Sequence, residues 1–137
     1  MSNPLNTYDL LKSIVQLSTS SVSIQVKLDR MLQSISGAFQ SDRCLLLKPE
    51  KIDKSGFLSR LVSEKKPLWV EDGSSFQKEN VPLEEEGLLS PTFACIPLYD
   101  EISFQGILYI GFSRHYKFSP QDIDLLLLIG EAMGGVI

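Results

Sequence analysis

The sequence predicts an α+β domain, an antiparallel sheet covered on both faces. Three observations carry that reading. Two short apolar runs rich in β-branched and aromatic residues, Thr92–Leu98 and Ile102–Phe112, are separated by the polar tetrad Tyr99–Ile102 with its acidic pair Asp100 and Glu101, the pattern of a β-hairpin. A helix start follows: Ser119 suits an N-cap, Pro120 the first helical turn, and Asp122 the acid of a capping box, with Phe118 and Ile123 bracketing the cap as a hydrophobic staple. Finally, Arg43–Lys48 is apolar on both sides, Cys44 and Leu46 against Leu45 and Leu47, so it needs cover on both and is expected at the centre of the sheet.

The remaining elements follow in order. A first helix is expected over Thr7–Leu17, with Tyr8, Leu11, Ile14 and Val15 on one side, and the serine-rich Ser18–Ser23 breaks it. Leu28, Met31, Leu32, Ile35 and Phe39 then recur at helical spacing and mark a second helix whose end Gly37 weakens. Pro49 stops the strand at Arg43–Lys48, and Glu50–Ser55 is a loop with at most a vestigial strand. A small helix at Gly56–Glu64 places Phe57, Leu58, Leu61 and Val62 on one face; Lys65, Lys66 and Pro67 end it, and Leu68-Trp69-Val70 begins another strand. Glu71–Ser90 shows no sustained period beyond one expected helical turn at Pro82–Glu86. The last helix runs from Pro120 through the apolar Leu125–Ile129 to the end of the sequence, making it and the hairpin the middle of the domain.

Composition narrows the function. The chain has 137 residues, 43% of them hydrophobic, enough for one domain with a core of its own. The net charge of −4 is localised: residues 71–90 hold six acids and one lysine, which leaves the remainder at +1. No basic patch interleaved with aromatics points to nucleic acid. The longest apolar run is too short to cross a bilayer, and Met1–Leu11 lacks the basic and apolar regions of a signal peptide, so a cytoplasmic domain is expected. Cys44 and Cys95 fall inside apolar strand candidates and read as buried free thiols of a reducing compartment.

Several stretches together resemble a GAF domain, the small sensory module of bacterial kinases, cyclases, transcription activators and phosphodiesterases, with a fold related to PAS. They are Gly56-Phe57-Leu58 through Lys66-Pro67-Leu68-Trp69-Val70-Glu71-Asp72, then Ala94-Cys95-Ile96-Pro97-Leu98, Gln105-Gly106-Ile107-Leu108 and Phe118-Ser119-Pro120-Gln121-Asp122. Their order and spacing make the match, which covers nearly the whole chain. The resemblance implies a five- or six-stranded antiparallel sheet, terminal helices on one face, and short helices and loops closing a small-molecule chamber on the other. The family's second strand has only Glu50–Ser55 to occupy, which puts six strands in doubt. Residues 1–137 are then one such domain, a piece of a larger signalling protein such as a two-component sensor histidine kinase.

The candidate chemistry is sparse. A catalytic thiol needs exposure and a positive neighbour, which neither cysteine has in sequence, and the further loop cysteines of the GAF-like methionine sulfoxide reductases are missing. His115 is the lone histidine, in the loop Arg114–Lys117, and makes no metal site by itself; Glu84, Glu85 and Glu86 read as a solvated charge run. No cysteine sits where a bilin-binding member attaches its chromophore. No catalytic residue, metal or cofactor is therefore expected.

A small organic ligand remains, for which aromatics with a polar tip are suited: Phe57, Trp69, Phe76, Phe93, Cys95 and Tyr109 are the candidate lining, although a one-residue slip would exchange Phe93 and Cys95 for Ala94 and Ile96. The last helix is apolar on more than one side, and Gly130 and Gly134 share a face that would admit a close neighbour. A homodimer through Leu11, Ile14, Val15, Leu126, Ile129, Gly130 and Met133 is expected, with the last helix leading into an output domain. Against the ligand sensor stand a ligand-free dimerisation and relay module and, more remotely, a thiol redox enzyme.

Overall fold

The computed structural model describes residues 7–51, 57–71, 91–100 and 103–136. Helices α1 (Thr7–Ser18) and α2 (Ile24–Phe39) lead into strand β1 (Arg43–Leu47), a 3-10 turn at Pro49–Lys51, α3 (Phe57–Glu64), β2 (Leu68–Val70), the hairpin strands β3 (Thr92–Tyr99) and β4 (Phe104–Phe112), and α4 (Pro120–Val136). Ser23 caps α2 by accepting the Val26 N–H, and Gln40 ends it in the left-handed region, its own N–H donated to the Ser36 carbonyl. Lys65 ends α3 in the left-handed region too, with a φ of 55° and its N–H donated to the Val62 carbonyl.

The described strands form one antiparallel sheet in the order β1-β4-β3-β2. The hairpin is its middle, as expected. Among the described residues β1, expected at the centre, pairs with β4 on one side, and its apolar side chains are half-buried rather than enclosed. Both of its faces are still covered, because Cys44 and Leu46 turn to one layer of core and Leu45 and Leu47 to the other. The hairpin turn is held by Asp100, whose N–H donates to the Ser103 carbonyl and whose carboxylate accepts the Ser103 N–H at 2.6 Å. A bulge between Leu98 and Tyr99 adjusts the register there. Gly106 of β4 has a φ of +148° and a Cβ there would lie 2.8 Å from the Leu47 carbonyl, which is why that position is glycine.

Core lies on both faces. On one, α1, α2 and α4 cover Ala94, Ile96, Leu98, Leu108, Ile110 and Phe112. On the other, α3 brings Leu58 and Leu61 over Val70, Phe93, Cys95, Ile107 and Tyr109. The start of α4 is the capping box read from sequence: Asp122 N–H donates to Ser119 Oγ at 3.1 Å and Ser119 N–H to Asp122 Oδ2 at 3.0 Å. The Tyr116 hydroxyl adds a third bond, to Asp122 Oδ2 at 2.9 Å.

Residues 72–90, with the helical turn expected at Pro82–Glu86, and residues 52–56 lie outside the described residues; of the loop or vestigial strand expected over Glu50–Ser55, Glu50 and Lys51 are described and belong to the 3-10 turn.

Candidate functional site

The pleat of four strands decides which candidates meet. Cys95 stands opposite Tyr109 on β4, and Tyr109 opposite Leu45 on β1; Phe93 stands opposite Gly111 on one side and Val70 on the other. Residues directly opposite across a ladder share a face, so Phe93, Cys95 and Tyr109 gather on the face away from the terminal helices, all three fully buried. The rings of Phe93 and Tyr109 stack at 5.8 Å with 26° between their planes.

Around this pair, Leu45, Leu47 and Ile107 supply an apolar floor, and Leu58 and Leu61 of α3 close the β2 side. Arg43 shares the face through its alternation with Leu45, and its guanidinium carbon lies 5.9 Å from the centre of the Tyr109 ring. Both rings are enclosed by this apolar layer, and Arg43 lies against the Tyr109 ring at the start of β1. Sequence reasoning passed over Arg43, Leu45 and Ile107; alternation within β1 and β4 was the signal, but it needed the register to be read.

Trp69 is not among them. The same alternation that turns Val70 to the Phe93 face turns Trp69 to the helical face, where its ring meets Phe118 edge-on at 5.3 Å. The side chain of Phe57, which opens α3, and the whole of Phe76 lie outside the described residues.

Neither cysteine forms a disulfide, and the two belong to different layers, Cys44 with the helical core and Cys95 with the Phe93 face. They stand on strands separated by β4, about 9–10 Å apart by strand spacing and facing opposite ways, too far for a disulfide. Burial pushes the Cys44 thiol up to about 12, which leaves it protonated and unreactive at neutral pH. No group of three or more histidine, cysteine or acidic side chains stands close enough for a metal ion among the described residues.

The residues expected at a dimer interface are mostly taken by the chain's own core. Ile14, Leu126, Ile129 and Met133 are fully buried between α1, α2, α4 and the sheet, and Leu11 is half-buried there. Gly130 and Gly134 do admit a close neighbour, but it is β3: a Cβ on Gly130 would lie 3.1 Å from Ile96 Cγ2, and one on Gly134 would overlap the Tyr99 carbonyl oxygen. Val15 is the one member left in solvent, 48% exposed. The apolar surface of α4 is instead Leu127 and Leu128.

No helix among the described residues is long and apolar enough to cross a membrane. No curated protein sequence matches the chain. Solved structures do. The GAF domain of a phosphoenolpyruvate-protein phosphotransferase from Acinetobacter is similar at 21% identity and a TM-score of 0.79, with 99% of this chain and 93% of that chain covered. The fRMsr of Staphylococcus aureus in complex with substrate is similar at 17% identity and a TM-score of 0.74, covering 98% of this chain and 97% of that one. A domain of a putative two-component sensor histidine kinase from Sinorhizobium meliloti is similar at 20% identity and a TM-score of 0.60, covering 83% of this chain and 90% of that one. At such identities the likeness is one of fold. The family model for the GAF domain matches residues 23–137, the whole of the described sheet and every described helix but α1, and the chain belongs to the GAF domain family.

Proposed function

We propose that this GAF domain is a sensory unit that binds a small organic molecule on the Phe93–Tyr109 face and relays occupancy through its terminal helices to an output domain of a longer bacterial signalling protein, such as a histidine kinase. The observation that carries the reading is the unlike cover of the two sheet faces. Three long helices seal one, whereas the described cover of the other is the eight-residue α3 over a stacked aromatic pair. Residues 1–137 are taken as one such domain working in the cytoplasm, with no reaction of its own, since its two thiols point into separate layers.

A thermal-shift screen of nucleotides, amino acids and aromatic acids tests this, because a ligand bound only by the folded state raises the melting temperature with its concentration. Native mass spectrometry of the freshly purified protein would detect a retained molecule. The reading fails if no compound shifts the transition and no mass is retained. A ligand-free relay module is the second reading, favoured by the full burial of both stacked rings.

The relay further calls for a second copy of the chain packed on the outer side of α4 and α1. Leu127, 37% exposed, and Leu128 and Val15, each 48% exposed, are the apolar positions that such a copy would cover. Sedimentation at micromolar concentration should give a dimer, and Leu128→Glu should return it to monomer with the fold intact.

A further inference from the structure

The short strand β2 touches two things that otherwise do not meet. Its Val70 belongs to the Phe93 face and stands directly opposite Phe93 in the ladder. The residues on either side of Val70 turn the other way and both grip the segment that leads into α4. Trp69 packs edge-on against Phe118 at 5.3 Å. Glu71 accepts the Phe118 N–H on its carboxylate at 3.0 Å. The backbone carbonyl of Glu71 also accepts from Thr92 Oγ1 at 3.0 Å, and that hydroxyl oxygen accepts the Tyr116 N–H at 3.1 Å. The segment before α4 is thus tied to Glu71, the residue that follows the three-residue β2, directly through the Phe118 N–H and indirectly, by way of Thr92 Oγ1, through the Tyr116 N–H.

We propose that β2 is the coupling element between the Phe93 face and α4, with Glu71 as the positioning residue that sets where α4 begins. A displacement of Val70 by whatever occupies that face moves the next residue along the same rigid backbone, and Glu71 carries Phe118 and Tyr116 with it. β2 suits the task because it is three residues long and, among the described residues, pairs with β3 alone, so it shifts without breaking the central hairpin. Its purpose rests on the sensory reading above; its existence does not.

The test therefore uses no ligand. Native-state amide exchange reports the Phe118 N–H, bonded to Glu71, beside the Ser119 N–H, bonded to Asp122 within α4 itself. Glu71→Ala should speed exchange at Phe118 about tenfold or more and leave Ser119 within about twofold, whereas Glu71→Gln, which keeps an acceptor oxygen, should restore slow exchange. On the far face, Val70→Ala should speed Phe118 and shift Trp69 emission, while Leu61→Ala in the same apolar cluster should move neither beyond its effect on global stability. Val70→Ile, which adds a methylene against Phe93 and so displaces β2 without emptying the site, serves if Val70→Ala does not fold. Equal effects of the Val70 and Leu61 variants on Phe118, or no effect of Glu71→Ala, would overturn the coupling. That result would leave the ligand screen standing, and an empty screen would leave this coupling standing.

Discussion

Gly134 of α4 lies directly on the backbone of Tyr99 at the end of β3, so close that a Cβ there would overlap the carbonyl oxygen. The next residue, Gly135, is exposed and a Cβ on it would meet nothing within 4 Å. Two adjacent glycines in one helix therefore carry opposite expectations. Gly134→Ala should destabilise by about 1–3 kcal/mol, because α4 must lift from the sheet. Gly135→Ala should stabilise by up to about 1 kcal/mol, the ordinary helix-propensity gain. Urea unfolding of both variants checks the pair, and a shift of the same sign in both would refute the packing.

The capping box at α4 gives a second expectation. Ser119→Ala should cost about 0.5–2 kcal/mol through the loss of the bond to the Asp122 N–H. Asp122, only 8% exposed, also holds the Ser119 N–H and the Tyr116 hydroxyl, so Asp122→Ala should cost more than Ser119→Ala. Asp122→Asn keeps one acceptor and should fall between them. Chemical denaturation ranks the three.

Alkaline pH should weaken the fold, and Cys44 is the clearest contributor. Its thiol ionises near 9.0 in an open chain and about 12 in the folded one, because burial opposes the thiolate. The folded state therefore holds the proton more tightly, the associated stability is fully present below 9.0, and it is lost as pH rises from there toward 12. Tyr116, raised by burial and by its bond to Asp122, and Tyr99, raised by burial, act in the same direction. Cys44→Ala should flatten the decline of melting temperature above pH 9 without abolishing it. Native Cys44 should also alkylate far more slowly at pH 8 than in urea.

The ring pair under α3 offers a fourth measurement. Phe93→Ala should cost about 3–5 kcal/mol, the usual range for emptying a fully buried aromatic site. Phe93→Leu and Tyr109→Leu, combined in a double-mutant cycle, should show a coupling of about 0.5–1.5 kcal/mol from the stacked geometry. A coupling near zero would mean that the two rings contribute area alone.

What could be read before the structure was local chemistry. Ser119, Pro120 and Asp122 announce a helix start through bonds made within four residues, and the hairpin is two apolar runs beside a short polar one. What could not be read was facing. β1, β3 and β4 are apolar on both sides, so nothing in their composition tells Phe93 from Ala94, and only the pairing with β2 and β4 separates them. Trp69 was misplaced for that reason: aromatic character suits either layer, and the register sends it to Phe118. The neighbours of the long apolar helix were hidden in another way. Its several apolar sides do not say which of them the chain covers itself, and α1 and the sheet take all but Leu127 and Leu128.

The strand order also has a consequence for synthesis. β1 finds its neighbour β4 only after some sixty residues of intervening chain, with Arg43 meeting Gly111 and Leu47 meeting Ile107. As the polypeptide leaves the ribosome, α1, α2 and β1 therefore emerge with no sheet to cover, and the apolar side of α2, Leu28, Met31, Ile35 and Phe39, stays open to water. The hairpin and α4, by contrast, are contiguous from Thr92 to Val136 and can assemble from near neighbours as soon as they appear. A nascent chain stalled before β4 is released should bind a holdase chaperone, and one released past α4 should not.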